Sequence, residues 1–285
     1  MTAGPGREPT FEEVLHKVDS GIALITLNAP ERRNAFRNEM LHELWQALDM
    51  ADRDPEVRAV VLTGAGRSFS VGAELRGPDT LLKALEDDVA GHTPTGYREP
   101  GGRVSERLFA MQKPVIAAIN GDAVGGGTSI IAATDVRIAS RTARFGFVFT
   151  RRGVVPECAS SWFLPRLVGL GRATDWLLSG RIFDAQEAYA AGLLTRLVEP
   201  DEVLTEALDY ARQFVAHTSP TSVALAKRLL GGSWRHSEPR TAAEVESRTY
   251  AGLVDSPDAR EGVSSFLERR QATFGPLDPH PSQRF

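Results

Sequence analysis

Hydrophobic positions along this chain follow two rhythms. In the first two-thirds, short unbroken apolar runs alternate with stretches of helical spacing. Residues 21–27 (GIALITL), 58–63 (RAVVLT) and 115–119 (VIAAI) are continuous apolar runs bounded by Asn, Asp, Gly and Pro, the signature of buried strands. Residues 135–139 (DVRIA) and 144–149 (RFGFVF) are further strand candidates, and a short one lies at 194–198. Between them, Asn38 is expected to cap a helix with Leu41, Leu44, Trp45 and Leu48 on one face, ending near Asp54-Pro55. A second helix is read at 104–111. A third opens at Ser160 or Ser161 and carries Trp162, Leu164 and Leu167, and Pro165 predicts a kink or an early stop in it. From Ala173 onward the pattern is helical, with helices at 201–217, 222–230, 241–254 and 259–271. The sum is an α/β fold: a disordered stretch at 1–10, a core at 11–200, and a helical region at 201–285 suited to an oligomer interface. Residues 76–102 carry Pro78, Pro94, Pro100 and several glycines among charges, and read as a lid, a pocket wall or a locally disordered segment.

Composition narrows the class. The 285 residues are long enough for one large domain, and 42% hydrophobic with 25% charged residues is ordinary for a globular protein. A net charge of -4 leaves no footprint for nucleic acid. No apolar run approaches the ~20 residues of a membrane span. The start, MTAGPGREPTFEE, has no signal-peptide core and the end, PSQRF, is no peroxisomal address, so a cytoplasmic setting is expected. The single cysteine, Cys158, rules out an internal disulfide.

Motifs for common chemistries are missing. There is no phosphate-binding G-x-x-x-x-G-K-[ST], no dinucleotide G-x-G-x-x-G after a strand, and no G-x-S-x-G elbow. The six histidines are scattered without metal-ligand spacing, so no metal site is expected. What stands out is Gly125-Gly126-Gly127, which follows the strand-like run 115–119 and a turn at Asn120-Gly121 and leads into Thr128-Ser129. Bare peptide N–H groups at a helix opened by Thr128 would seat an anion or a developing oxyanion. A similar strand-to-turn junction recurs at 69–75, so two N–H groups from two strand ends could meet one oxygen. The second candidate is Glu157, set among Val154, Val155, Pro156, Cys158 and Ala159. An apolar pocket there would raise its pKa, which suits a group that takes and returns a proton.

LNAPERRNAF at 27–36, SFSVGAEL at 68–75, INGDAVGGG at 119–127 and the long run at 166–198 occur in order, and together resemble the enoyl-CoA hydratase/isomerase (crotonase) family. The resemblance spans about residues 11 to 275. It implies a spiral of ββα units, a C-terminal helical trimerisation region, an acyl-CoA thioester substrate, and a homotrimer or dimer of trimers. No resident cofactor is implied, because coenzyme A belongs to the substrate. The two oxyanion-hole N–H groups of the family match Ala73 and Gly126, each worth roughly 3–4 kcal/mol in comparable sites. Arg32 or Arg33 falls where relatives place a basic residue near CoA phosphate, and Ala35, Ser70 and Gly72 lie in the matching CoA-binding segments. Phe266 and Arg269 match a segment that touches CoA from a neighbouring subunit.

Departures from the family pattern decide the expected reaction. Hydratases of the family use two glutamates, whose positions here are Ser129 and Phe149, and neither can act as a base. These two, with Trp162, are expected to line the acyl pocket. Glu157 instead matches the lone glutamate of the peroxisomal-type Δ3,Δ2-enoyl-CoA isomerases, so the resemblance implies a double-bond shift from 3-enoyl-CoA to 2-enoyl-CoA. Two alternatives stay open: a hydratase-like, lyase or hydrolase reaction on a bulky acyl-CoA with Glu157 activating water, and a non-catalytic acyl-CoA-binding paralogue. Glu157 as a nucleophile, after the aspartate of aromatic acyl-CoA dehalogenases, would also need a histidine that the sequence does not identify.

Overall fold

The computed structural model describes residues 10–277, so almost all of the 1–10 stretch expected to be disordered lies outside the described residues. A hairpin of β1 (Val14–Asp19) and β2 (Ile22–Leu27) leads to α1 (Asn38–Arg53), β3 (Ala59–Gly64) and β4 (Ser68–Ser70). Next come α2 (Thr80–Asp87), the hairpin β5 (His92–Thr93) and β6 (Gly96–Tyr97), and α3 (Pro100–Ala110). The middle of the chain runs β7 (Val115–Ile119), β8 (Asp122–Val124), α4 (Gly126–Ala132), β9 (Val136–Ser140), β10 (Arg144–Gly146) and α5 (Ser160–Ser179). It closes with β11 (Ile182–Asp184), α6 (Ala185–Ala190), β12 (Arg196–Val198), α7 (Val203–Ala216), α8 (Pro220–Ser233), α9 (Pro239–Leu253) and α10 (Pro257–Glu268).

Apart from the β5–β6 hairpin, the strands divide between two sheets in alternation. The large sheet has the order β1-β2-β3-β7-β9-β12, parallel from β2 onward, and the small sheet the order β11-β10-β8-β4. Each pass places one strand in the large sheet and the next in the small one: β3 then β4, β7 then β8 followed by α4, β9 then β10 followed by α5. This is a spiral of ββα units.

The unbroken apolar runs have a simple cause. A parallel sheet covered on both faces needs apolar residues at every position. Ala23, Ile25, Leu27, Val60, Leu62, Val115, Ala117 and Ile119 face one core with α1, α3, α4 and α5. Their alternates Ile22, Ala59, Val61, Ile116, Ala118, Val136 and Ile138 face a second core with Val203, Ala207 and Ala211 of α7. The last helical region therefore begins with a helix built into the sheet's own packing.

Four local expectations are corrected. Asn38 is the first residue of α1 rather than its cap; Arg37 caps the helix, and the Asn38 amide donates to the Ala84 carbonyl at 2.7 Å. Residues 76–102 are more ordered than their composition suggests, holding α2, the β5–β6 hairpin and the start of α3. Pro165 does not stop α5, because one missing N–H near the helix start removes one ladder bond; the break comes at Gly169 (φ 77°, ψ 156°), a conformation glycine tolerates. Strand β10 ends at Gly146 instead of continuing to Phe149.

Candidate active site

The glycine stretch closes onto the segment that follows β4. Gly125 (φ 58°) caps α4, and its N–H donates to the Gly146 carbonyl at 2.8 Å. The helix therefore opens at Gly126, two residues earlier than expected. Thr128 serves as an anchor, its hydroxyl donating to the Ala123 carbonyl and lying 3.2 Å from that of Gly146. Across from it Gly72 sits at φ 81°, where a Cβ would lie 2.7 Å from the Val124 carbonyl oxygen and 3.1 Å from the Gly126 nitrogen. Only glycine permits both that dihedral and that approach. The two strand-to-turn junctions that the sequence pairs are thus in contact.

Ala73 is held from the side by Phe36. The Phe36 N–H donates to the Gly72 carbonyl at 2.7 Å and the Glu74 N–H donates to the Phe36 carbonyl at 3.0 Å. This pattern turns the Ala73 N–H away from Phe36. Among the described residues, neither that N–H nor the Gly126 N–H has a hydrogen-bond partner. Glu74 fixes the far end: its bond to the Arg37 guanidinium, helped by Arg76, holds its pKa down at about 2.

Glu157 completes the cluster. One of its carboxyl oxygens lies 3.3 Å from where a Cβ on Gly126 would stand, and the Phe36 ring approaches the same point at 3.3 Å and 3.4 Å. Burial, and secondly the negative charge of Glu99, push the Glu157 pKa up to about 7. The side chain is carried on a tight turn. The Ser160 N–H donates to the Glu157 carbonyl at 3.1 Å, and both Cys158 (φ 56°) and Ala159 (φ 52°) are left-handed. Two consecutive non-glycine residues in that region are strained, by about 1 kcal/mol or more each. The Cys158 thiol is buried and its pKa is raised, chiefly by desolvation, which disfavours a thiolate nucleophile.

Other expected site residues are placed as follows. Ser129 is fully buried on α4, and its hydroxyl has no partner among the described residues. Phe149 is 5% exposed and packs in the main core, while Trp162 is half-buried against Phe109, Phe163 and Trp234. Arg32 is ion-paired to Glu13 at 2.5 Å, and Arg33 to Asp122 at 2.6 Å beside the Ser68 hydroxyl. Ser70 is buried, donating to the Asn34 carbonyl at 2.7 Å, and Ala35 is buried, its carbonyl accepting from Arg32. Phe266 is 81% exposed on α10 and Arg269 caps that helix; neither hydrogen-bonds to the 73, 126 or 157 segments among the described residues. Sequence reasoning singles out neither Phe36, although it ends the 27–36 segment, nor Glu99 as part of this cluster. Glu99 accepts the Cys158 N–H at 2.7 Å across 59 residues, and its only local signal is the Pro-Gly-Gly that follows it.

No group of three or more His, Cys, Asp or Glu side chains that could hold a metal ion occurs among the described residues, and no described helix is long and apolar enough to cross a membrane.

Comparison with known proteins identifies the family and the fold. Chain and fold are similar to enoyl-CoA hydratase from Bacillus anthracis, with a TM-score of 0.83 and 28% identity, covering 92% of this chain and 99% of that one. In sequence the chain is 35% identical over 268 residues to 1,2-epoxyphenylacetyl-CoA isomerase of Escherichia coli, covering 93% of this chain and 98% of that protein. It is 36% identical over 255 residues to enoyl-CoA hydratase ACTT3 of Alternaria alternata, covering 89% and 83%. The profile of the family described as enoyl-CoA hydratase/isomerase matches residues 17–276, and the chain belongs to that family.

Proposed function

We propose that this member of the acyl-CoA family shifts a carbon–carbon double bond, converting 3-enoyl-CoA to 2-enoyl-CoA. The thioester oxygen sits against the Ala73 and Gly126 N–H groups, which take up negative charge as the enolate forms. Glu157 removes a proton from C2 and returns it at C4, so one carboxyl serves as base and then as acid. No electrons are gained or lost, so the step needs no resident cofactor; coenzyme A enters and leaves with the substrate. The exposed apolar residues Val263, Phe266 and Leu267 of α10 support a subunit interface there, consistent with the trimer the resemblance implies.

The observation that carries this reading is a single carboxyl, with pKa about 7, against Gly126, while Ser129 and Phe149 occupy the positions of the hydratase acids. The test supplies a trans-3-enoyl-CoA and follows the ultraviolet absorbance of the conjugated thioester. Turnover that falls about 10²–10⁴-fold in Glu157→Gln supports the assignment. No turnover, or full turnover by that variant, overturns it.

Several relatives are named hydratases, which favours a second reading in which Glu157 activates water for addition to a 2-enoyl-CoA. Hydration by the wild type, lost in Glu157→Gln, selects that reading. Binding of acyl-CoA without chemistry on either substrate selects the non-catalytic one.

A further inference from the structure

Glu99 stands where a cap would stand on α3, yet its side chain does not cap that helix. It reaches instead to the turn between β10 and α5 and accepts the Cys158 N–H at 2.7 Å. The residues after it make room for this. A Cβ on Gly102 would lie 2.4 Å from one Glu99 carboxyl oxygen, and a Cβ on Gly101 would lie 2.4 Å from the Cys158 sulfur and 3.0 Å from the other carboxyl oxygen. Side chains at 101 and 102 would drive the carboxylate off the turn.

The carboxylate has no counter-charge among the described residues. Its neighbours are committed elsewhere: Arg98 pairs with Glu106, and Arg103 pairs with Asp88 at 2.7 Å. On the Glu157 side, Arg151 donates to the Ser179 carbonyl at 3.0 Å, Arg152 to the Arg151 carbonyl at 3.4 Å, and Arg166 stacks over Trp162. The start of α4 presents Gly126, and the segment before α1 presents Phe36, neither of them ionisable. Glu157 thus faces two titratable groups, the Cys158 thiol and Glu99.

We infer that Glu99 is a positioning residue for Glu157: it clamps the strained turn through the Cys158 N–H, and its unmatched negative charge disfavours a second carboxylate at Glu157. The inference rests on Glu157 as the proton carrier. The two parts are separable because the amide oxygen of glutamine accepts the same N–H without the charge. Glu99 lies second to burial among the causes that raise Glu157, so removing its charge shifts the titration without abolishing the elevation.

The experiment compares wild type, Glu99→Gln and Glu99→Asp by the pH dependence of kcat/KM for 3-enoyl-CoA isomerisation. In parallel, the Glu157 carboxyl is titrated by 13C NMR in glutamate-labelled protein, with its signal assigned by its loss in Glu157→Gln. In Glu99→Gln the acid limb and the NMR midpoint move to lower pH, so that the fraction of plateau rate retained at pH 6 rises about threefold. Glu99→Asp keeps the charge but not the reach, and the plateau falls while the limb stays near the wild-type position. Coincident NMR midpoints in wild type and Glu99→Gln overturn the inference, whatever the activities. A midpoint that moves in an enzyme without isomerase turnover sustains the inference on Glu99 and overturns only the proposed reaction.

Discussion

Replacing Glu157 by glutamine should make the protein more resistant to unfolding at pH 8 than at pH 4.5, relative to wild type. The carboxyl titrates near 4.5 in the unfolded chain and at about 7 in the fold. An acid raised in this way favours the native state while protonated. The contribution is full below about 4.5, is lost as pH climbs toward 7, and is gone above it. The interval corresponds to about 3 kcal/mol. Glutamine has no proton to lose, so the variant escapes this pH-dependent penalty, while any packing difference it introduces is the same at both pH values. Urea denaturation of both proteins at pH 4.5 and 8, at one protein concentration, reads the change in their stability difference. A gain of about 3 kcal/mol by the variant on going from the lower to the higher pH is expected. A difference that stays constant within about 0.5 kcal/mol would mean that Glu157 is not desolvated, and would refute the account of its reactivity as well.

Other expectations follow from neighbouring contacts. Gly72→Ala forces a Cβ to within 2.7 Å of the Val124 carbonyl at a φ of 81°; a loss of about 2–4 kcal/mol of unfolding free energy in urea denaturation is expected, with a drop in kcat because the two N–H segments are pushed apart. Arg37→Leu releases Glu74 from its guanidinium. Glu74 is held at about 2, so its stabilising effect is present above about pH 4.5 and lost as pH falls through 2; the variant should be about 1–2 kcal/mol weaker at pH 7, with the gap closing as pH falls below 4.5. Arg137→Leu leaves the buried carbonyls of Leu193 and Thr134 without their donor (2.6 Å and 2.5 Å), and should lower stability by about 2–4 kcal/mol as read by thermal unfolding at fixed concentration.

Much of the fold was legible because a doubly covered parallel sheet writes itself as unbroken apolar runs, and β2, β3 and β7 were read that way within a residue or so. The three-residue β4, β8 and β11 and the two-residue β5 and β6 were missed, and so was the six-residue β1. Three residues carry too little pattern to distinguish a strand from a turn. Pro165 and Gly169 show a related limit: composition names residues able to bend a helix, but packing selects which of them does. Glu157 could be found because its apolar neighbours are adjacent in sequence. Glu99 could not, because its target N–H lies 59 residues away and its own surroundings are polar.

Phe149 also bears on how such an enzyme could change its chemistry over time. The N–H pair is backbone and survives almost any exchange of side chains, so reactions on this scaffold can diverge by moving acids alone. At residue 149, however, the aromatic ring is 5% exposed and belongs to the main core. Exchanging it for glutamate would forfeit about 3–5 kcal/mol of packing and set a carboxylate among apolar neighbours. A serine at 129 could mutate back with less disruption, but a lone glutamate there does not rebuild a pair. On the positions that the resemblance implies, restoring a second acid at 149 would cost core packing, whereas keeping a single acid at 157 costs none.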